Sequence, residues 1–223
     1  FGGISVEHEV SIISANSILN NIDFKNYRPI GLYLTKKGGF RYCKIINKSG
    51  KKQFLPQAYS TSFKPGTSKP IQINKNTSIE VDVFFPIIHG TGGEDGSIQG
   101  LIKTLDRPFV GCDILGSAIT MNKILTKELV KKEGINVTKY EIIKNSLSDK
   151  NIKIIKKNIG FPCFVKAANL GSSIGVYKTN NEKELKSNIK KSLNFTNSVF
   201  VEEAVLKAAE IEVSALQVKE KIL

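Results

Sequence analysis

The chain has 223 residues, 40% of them hydrophobic and 24% charged, which suits one large domain or two modest ones and excludes wholesale disorder. The densest apolar run, Val83 to Ile88, is interrupted by Pro86 and falls far short of the about 20 apolar residues that span a bilayer. A net charge of +13 raises the question of nucleic acid, but only Arg28, Arg41 and Arg107 are arginines, and the lysines are scattered among Asn and Ile. Readers of phosphate and base edges rely on arginine forks. The expectation is therefore a solvated lysine-rich surface, with no nucleic-acid and no membrane partner.

In chain order, the start on Phe1-Gly2-Gly3 without a methionine suggests a strand ahead of it, and no leader peptide is expected. Residues 6–22 carry Val6, Val10, Ile13, Ile18 and Ile22 near helical spacing, with Ser5 as the expected N-cap. Residues 28–34 and 40–46 read as strands around a KKGG turn, and 47–78 as an irregular excursion. Residues 80–88 read as a buried strand, HGTGGEDG (89–96) as a loop, 97–106 as a helix and PFVG as a short strand. That order predicts a parallel α/β unit with ligands at the carboxyl ends of its strands. Beyond it, Thr120 is expected to cap a helix over 122–133. Strands are expected over 136–143, 161–168, 175–178, 198–202 and 210–218, and helices over 149–158 and 181–192. The best domain boundary lies near 111–121.

Two loops carry chemistry. HGTGGEDG places His89, Glu94 and Asp95 among four glycines at a strand end, where backbone can approach a ligand closely. A turn-rich surface loop is the plainer alternative. ANLGSSIG (168–175) joins two strands, and its amides and hydroxyls can surround phosphate oxygens. Lys166 precedes it within FPCFVKAA, where a buried ammonium calls for an anion. A hairpin with a snorkelling lysine is the alternative. Neither the GxxxxGK[ST] nor the GxGxxG spacing is present, so the common phosphate folds are not indicated. Lys123, early in its helix, opposes the helix dipole unless an anion sits there. Glu202, Glu203, Glu210 and Glu212 lie near two strands; Glu203 and Glu212 read as exposed charge. Glu7 suits either a helix dipole or a bound ammonium. Cys43, Cys112 and Cys163 have no zinc spacing and read as reduced, partly buried thiols.

Taken together, GGISVEHEVS (2–11), FPIIHGTGGEDGSIQGLI (85–102), PFVGCDILGSAITMNK (108–123), GFPCFVKAANLGSSIGV (160–176) and VFVEEAV with EIEVSAL (199–216) resemble the D-alanine–D-alanine ligases of the ATP-grasp superfamily. The resemblance implies an α/β fold: an amino-terminal parallel α/β domain over 1–111, a central ATP-grasp subdomain over 112–201, and the start of a carboxy-terminal subdomain over 202–223. It implies Glu7, His89 and Ser172 around the first substrate. It implies Lys123, Lys166, Gly171 and Ser173 at the ATP phosphates, and Glu202, Val205 and Glu210 at the nucleoside.

The implied ligands are D-alanine, ATP and two magnesium ions (manganese being possible), in a cytoplasmic homodimer that supplies peptidoglycan precursors. Ala167 stands where the family usually has proline, and Asn122 where it usually has aspartate. The family's arginine and its metal ligands fall beyond Leu223, so no metal ligand is expected here and the chain alone is expected to lack catalysis. Sister ligases using D-lactate or D-serine, and an inactive nucleotide-binding or dimerising fragment, are the alternatives.

Overall fold

The computed structural model describes residues 1–171, 173–218, 221 and 222. It opens with α1 (His8–Asn21), followed by an antiparallel sheet of β1 (Gly31–Leu34), β2 (Phe40–Lys48) and β3 (Lys51–Ser60) in that order. A small second sheet follows, of β4 (Ser62–Phe63), β5 (Ile71–Asn74) and β6 (Thr77–Ile79). The stretch expected to be irregular is therefore largely strand. Ser49 and Gly50 both have positive φ, 50° and 76°, so a two-residue turn whose twist suits a hairpin joins β2 to β3. Lysines and glutamines spaced along β3 masked that strand in the sequence.

The expected parallel unit is present as close pairings rather than long ladders. Gly2 bridges Leu34 on one side and Ile88 on the other, and Phe84 bridges Phe109, all parallel. Residues 80–88 do not form a continuous strand; Pro86 has no N–H to give to a ladder, and Val83 and Phe85 are exposed. Leu34, Ile88, Ile98 and Ile102 form the core here, the last two from α2 (Ser97–Thr104).

The buried face of α1 differs from the apolar stripe seen in the sequence. His8, Ser11, Ala15 and Leu19 are buried, whereas Val6, Val10 and Ile13 are exposed. The buried polar side chains satisfy backbone at the strand ends: Gly2 N donates to Ser11 Oγ at 2.7 Å, Ser11 Oγ donates to the Ile87 carbonyl, and His8 joins the Gly3 carbonyl to the Tyr33 hydroxyl. Asn16 and Asn20 bond the backbone of β3 at Phe54 and Lys52. Glu7, not Ser5, is the N-cap residue, and its side chain makes no cap bond.

The second part begins with α3 (Ile114–Met121) and α4 (Lys123–Lys132). Asn122 separates them and caps α4, accepting from the amides of Ile124 and Leu125 at 3.1 and 3.2 Å; Thr120, the expected cap, lies inside α3. There follow β7 (Tyr140–Lys144), α5 (Asp149–Asn158), β8 (Cys163–Ala167), β9 (Val176–Thr179), α6 (Glu182–Leu193) and β10 (Ser198–Glu203). They build an antiparallel sheet ordered β7-β10-β8-β9. Cys163, Val165, Val199 and Val201 face a core completed by Ile155 of α5 and by Leu185 and Ile189 of α6. The alternation of the strands sends Phe164, Lys166, Phe200 and Glu202 to the other face.

Residues 204–216 form no strand, against expectation, and Ile211 and Val213 are 82% and 85% exposed. An alternating segment becomes a strand only where a neighbour completes its ladder, and among the described residues pairing resumes only with β11 (Gln217–Val218) against β12 (Lys221–Ile222). No helix among the described residues is long and apolar enough to cross a membrane.

Candidate active site

Sheet register creates the lysine end of the site. Phe200 pairs with Lys166 and Glu202 with Phe164, so Lys166 and Glu202 are diagonal neighbours on one face. Lys166 Nζ forms an ion pair with Glu202 Oε1. Lys127 Nζ, one helical turn after Lys123, bonds Glu202 Oε2 at 2.8 Å, and the Thr138 hydroxyl donates to the same oxygen at 2.9 Å. Burial pushes the Glu202 carboxyl up, but the hydrogen bonds and charges of Lys127 and Lys166 outweigh it and hold its pKa below the usual carboxylate range.

Lys123 is the first residue of α4. Its Nζ donates to the carbonyl of Leu170, and its backbone N–H to that of Ala168 at 2.9 Å. Burial, and then the nearby ammonium of Lys166, lower its pKa. Two cations that repel one another beside a helix N-terminus and a glycine-containing loop make a place where an anion is favourable. Asn122, in place of an acid, keeps the capping oxygen. Ala167 gives its N–H to Gly175 O at 3.0 Å, a bond that proline could not make.

The loop over 168–175 also reaches the other half of the molecule. A methyl group placed on Gly171 would lie 3.4 Å from Glu7 Oε2, while one on Gly90 would overlap that oxygen. The Glu7 carboxylate thus sits between the HGTGGEDG loop and the ANLGSSIG loop. Ser173, exposed, has a left-handed backbone with φ 59°. Ser172 lies outside the described residues.

His89 is oriented from both sides. Its Nε2 lies 3.0 Å from Ser14 Oγ and its Nδ1 3.6 Å from Glu94 Oε1, while its carbonyl accepts from Ser5 Oγ at 2.6 Å. Asp95 folds the rest of the loop: its carboxylate accepts from the amides of Gly92 and Ser97 at 2.8 and 3.0 Å. Burial would raise the Asp95 pKa, but these bonds prevail and lower it. A cavity of about 420 Å³ opens beside His89, with Glu94, Gln99, Cys112 and Thr120 in its wall.

The structure therefore places Glu7 beside Gly171 and Gly90, the latter one residue from His89, and groups Lys123, Lys166 and Glu202 around the other end of the 168–175 loop. It leaves Val205, which is 60% exposed, and Glu210 in the exposed 205–216 stretch; among the described residues Glu210 forms no ion pair with the lysine cluster. Sequence reasoning missed Ser5, Ser14, Lys127 and Thr138. Only Lys127 left a signal, its four-residue spacing from Lys123 on one helix face. Among the described residues no group of three or more His, Cys, Asp and Glu could hold a metal ion.

Residues 1–112 match the family model described as D-ala D-ala ligase N-terminus, and residues 129–223 the one described as D-ala D-ala ligase C-terminus. The chain is 38% identical over 224 residues to a D-alanine–D-alanine ligase of Thermoanaerobacter sp. (strain X514), and 39% identical over 222 residues to one of Clostridium novyi (strain NT). In each comparison 97% of this chain is covered. It spans about 62% of the length of these relatives.

Among solved structures, D-alanyl-alanine synthetase A from Vibrio cholerae superposes with a TM-score of 0.83 at 29% identity, covering 100% of this chain and 63% of that one. The VanG D-Ala:D-Ser ligase from Enterococcus faecalis gives 0.74 at 29% identity, covering 92% and 61%. The chain belongs to the D-alanine–D-alanine ligase family.

Proposed function

We propose that this chain is the substrate-side and phosphate-side part of an ATP-dependent ligase that joins two D-alanines for peptidoglycan precursors. The observation that carries the reading is the single loop over 168–175, which passes beside the Glu7 carboxylate at Gly171 and accepts from Lys123 at the Leu170 carbonyl. One loop thereby ties an acidic site for an ammonium to a cationic site for phosphates. The two hydrophobic clusters support a division near residue 111; the further parts, 112–201 and 202–223, rest on the family resemblance, and β10 crosses from one to the other.

Carboxylates do not condense with amines in water because they are poor electrophiles. In this reading Glu7 holds the ammonium of the first D-alanine, with His89 and Ser172 as polar partners. Lys123 and Lys166 neutralise the nucleotide as the γ-phosphoryl passes to the substrate carboxylate. Gly171 and Ser173 cover the phosphates, and Glu202, Val205 and Glu210 serve the nucleoside. The amine of the second D-alanine attacks the acyl phosphate, the C–O bond breaks, and phosphate leaves with the amine having lost a proton. Magnesium, or manganese, would add charge neutralisation at the phosphates; the described residues do not form its site, and no step is assigned to it. A cytoplasmic homodimer fits the same reading.

The test is ATP-dependent phosphate release by the full-length ligase. Turnover with D-alanine alone supports the proposal. Turnover only when D-serine or D-lactate is added would move it to the sister activity, which the likeness to the VanG ligase keeps in view. Silence with every acceptor would leave a nucleotide-binding fragment.

A further inference from the structure

Glu202 is 7% exposed, yet its carboxylate faces two ammonium groups, and the two oxygens are treated differently. Oε2 sits in a closed triangle: Lys127 bonds it at 2.8 Å, Thr138 donates to it at 2.9 Å, and Lys127 donates to the Thr138 hydroxyl at 2.6 Å. The Lys127 ammonium is further held by the rings of Tyr140 and Phe200, at 5.5 and 5.9 Å from their centres. Oε1 has Lys166 alone as its cation. The Lys166 side chain is 28% exposed against 18% for Lys127, so of the two partners it is the one with more room to leave.

The phosphate role of Lys166 and the burial of Glu202 are in tension. When Lys166 turns to an anion, Oε1 loses its donor. A carboxylate left buried without any cation would be driven towards its protonated form. Lys127 is the more firmly held, by the Thr138 hydroxyl and two rings, against the one ring of Phe164 lying 5.6 Å from Lys166. It lies on the same helix as Lys123 but is committed to Glu202 rather than to the Leu170 loop.

We propose that Lys127, with Thr138, is a positioning residue for nucleotide recognition: it fixes Glu202 by Oε2 as an acceptor, so that Oε1 can pass from Lys166 to the exocyclic amino group of adenine. The inference rests on the reading of Glu202 as the adenine-side carboxylate. Its consequence is selectivity. A purine carrying a carbonyl oxygen at position 6 would set a lone pair against Oε1 and be refused, and the strength of that refusal depends on Lys127.

Calorimetric binding of ATP and of inosine triphosphate to the full-length protein tests this without turnover. Lys127→Met should weaken ATP by about tenfold or more, the scale of one lost hydrogen bond to a charged group, while hardly changing inosine triphosphate. Lys127→Arg should restore most of the preference. On a Glu202→Gln background, Lys127→Met should add nothing. If Lys127→Met does not fold, Thr138→Val, which removes one corner of the triangle, should shift the preference in the same direction. Equal weakening of both nucleotides, or an unchanged preference, would make Lys127 merely structural and overturn the proposal. A wild-type protein that binds both nucleotides alike, or a Glu202→Gln variant with unchanged preference, would instead remove the reading of Glu202 and the inference with it.

Discussion

The carboxylate of Glu7 and the α-carbon of Gly90 are packed so closely that no side chain fits between them. A methyl group on Gly90 would overlap Glu7 Oε2 and lie 3.2 Å from Ser5 Oγ, and Gly90 has a φ of 71° that other residues rarely adopt. Gly90→Ala should destabilise the fold by about 1–3 kcal/mol through backbone strain and overpacking. Under the proposed role of Glu7 in holding the first D-alanine, it should also raise the KM for D-alanine in the full-length ligase, since Glu7 must move. Urea melts and steady-state kinetics check both. Stability within about 0.5 kcal/mol of the parent together with an unchanged KM would disprove it.

Lys166→Ala should lower phosphate release in the full-length ligase by about two orders of magnitude or more, the usual scale for losing one preorganised cationic contact. Near-normal turnover would end the phosphate assignment. The same variant has a pH signature. Glu202 has a folded pKa below its ordinary 4.5, so it contributes stability above that value that is lost as pH falls through the folded pKa. Removing Lys166 weakens the cause of the depression. The acid-side loss of stability attributable to Glu202 should shrink, as urea midpoints between neutral and acid pH would record.

The three cysteines should separate cleanly. Cys43 and Cys163 are buried, and burial pushes their thiols up to about 12 and about 11, whereas Cys112 is exposed at the wall of the cavity beside His89. The thiolate is the reactive form. A thiol reagent at mildly alkaline pH should therefore modify one equivalent in the folded protein, at Cys112 by peptide mapping, and three in denaturant. Rapid modification of Cys163 in the folded protein would contradict the packing of β8. The expectation of partly buried thiols fails at Cys112, which is exposed.

Asn122 is the acceptor that starts α4 and so sets where Lys123 begins. Asn122→Ala should cost about 1 kcal/mol in a thermal or urea melt, the usual value of a lost N-cap. Asn122→Asp keeps the acceptor and adds a charge that the helix N-terminus favours, so it should match or exceed the parent. An alanine variant as stable as the parent would mean that the two amides find another partner.

Much of the site was legible because its residues sit in short contiguous motifs. HGTGGEDG carries both His89 and the carboxylates that fold around it, and FPCFVKAA with ANLGSSIG fixes Lys166 and its loop. Strands β8, β9 and β10 and helices α2, α5 and α6 follow from patterns of apolar residues and caps that act over a few positions. The face of α1 was not legible. Val10 and Ile13, with Val6 just ahead of the helix, face outward, because the glycine-rich strand ends needed the polar groups of His8 and Ser11 on the buried side.

The sequence by itself determined the family, the two loops and the identity of the charged residues, since these depend on local order along the chain. Tertiary structure alone decided that one loop passes beside Glu7 and accepts from Lys123, and that Lys127 and Thr138 hold one oxygen of Glu202 while Lys166 holds the other. Those relations depend on strand register and on helix placement between residues as far apart as Thr138 and Glu202, 64 positions along the chain. No local pattern encodes such a pairing. It exists only once the antiparallel sheet brings β10 between β7 and β8 and the Lys127 side chain reaches from α4 to the face that bears the charges.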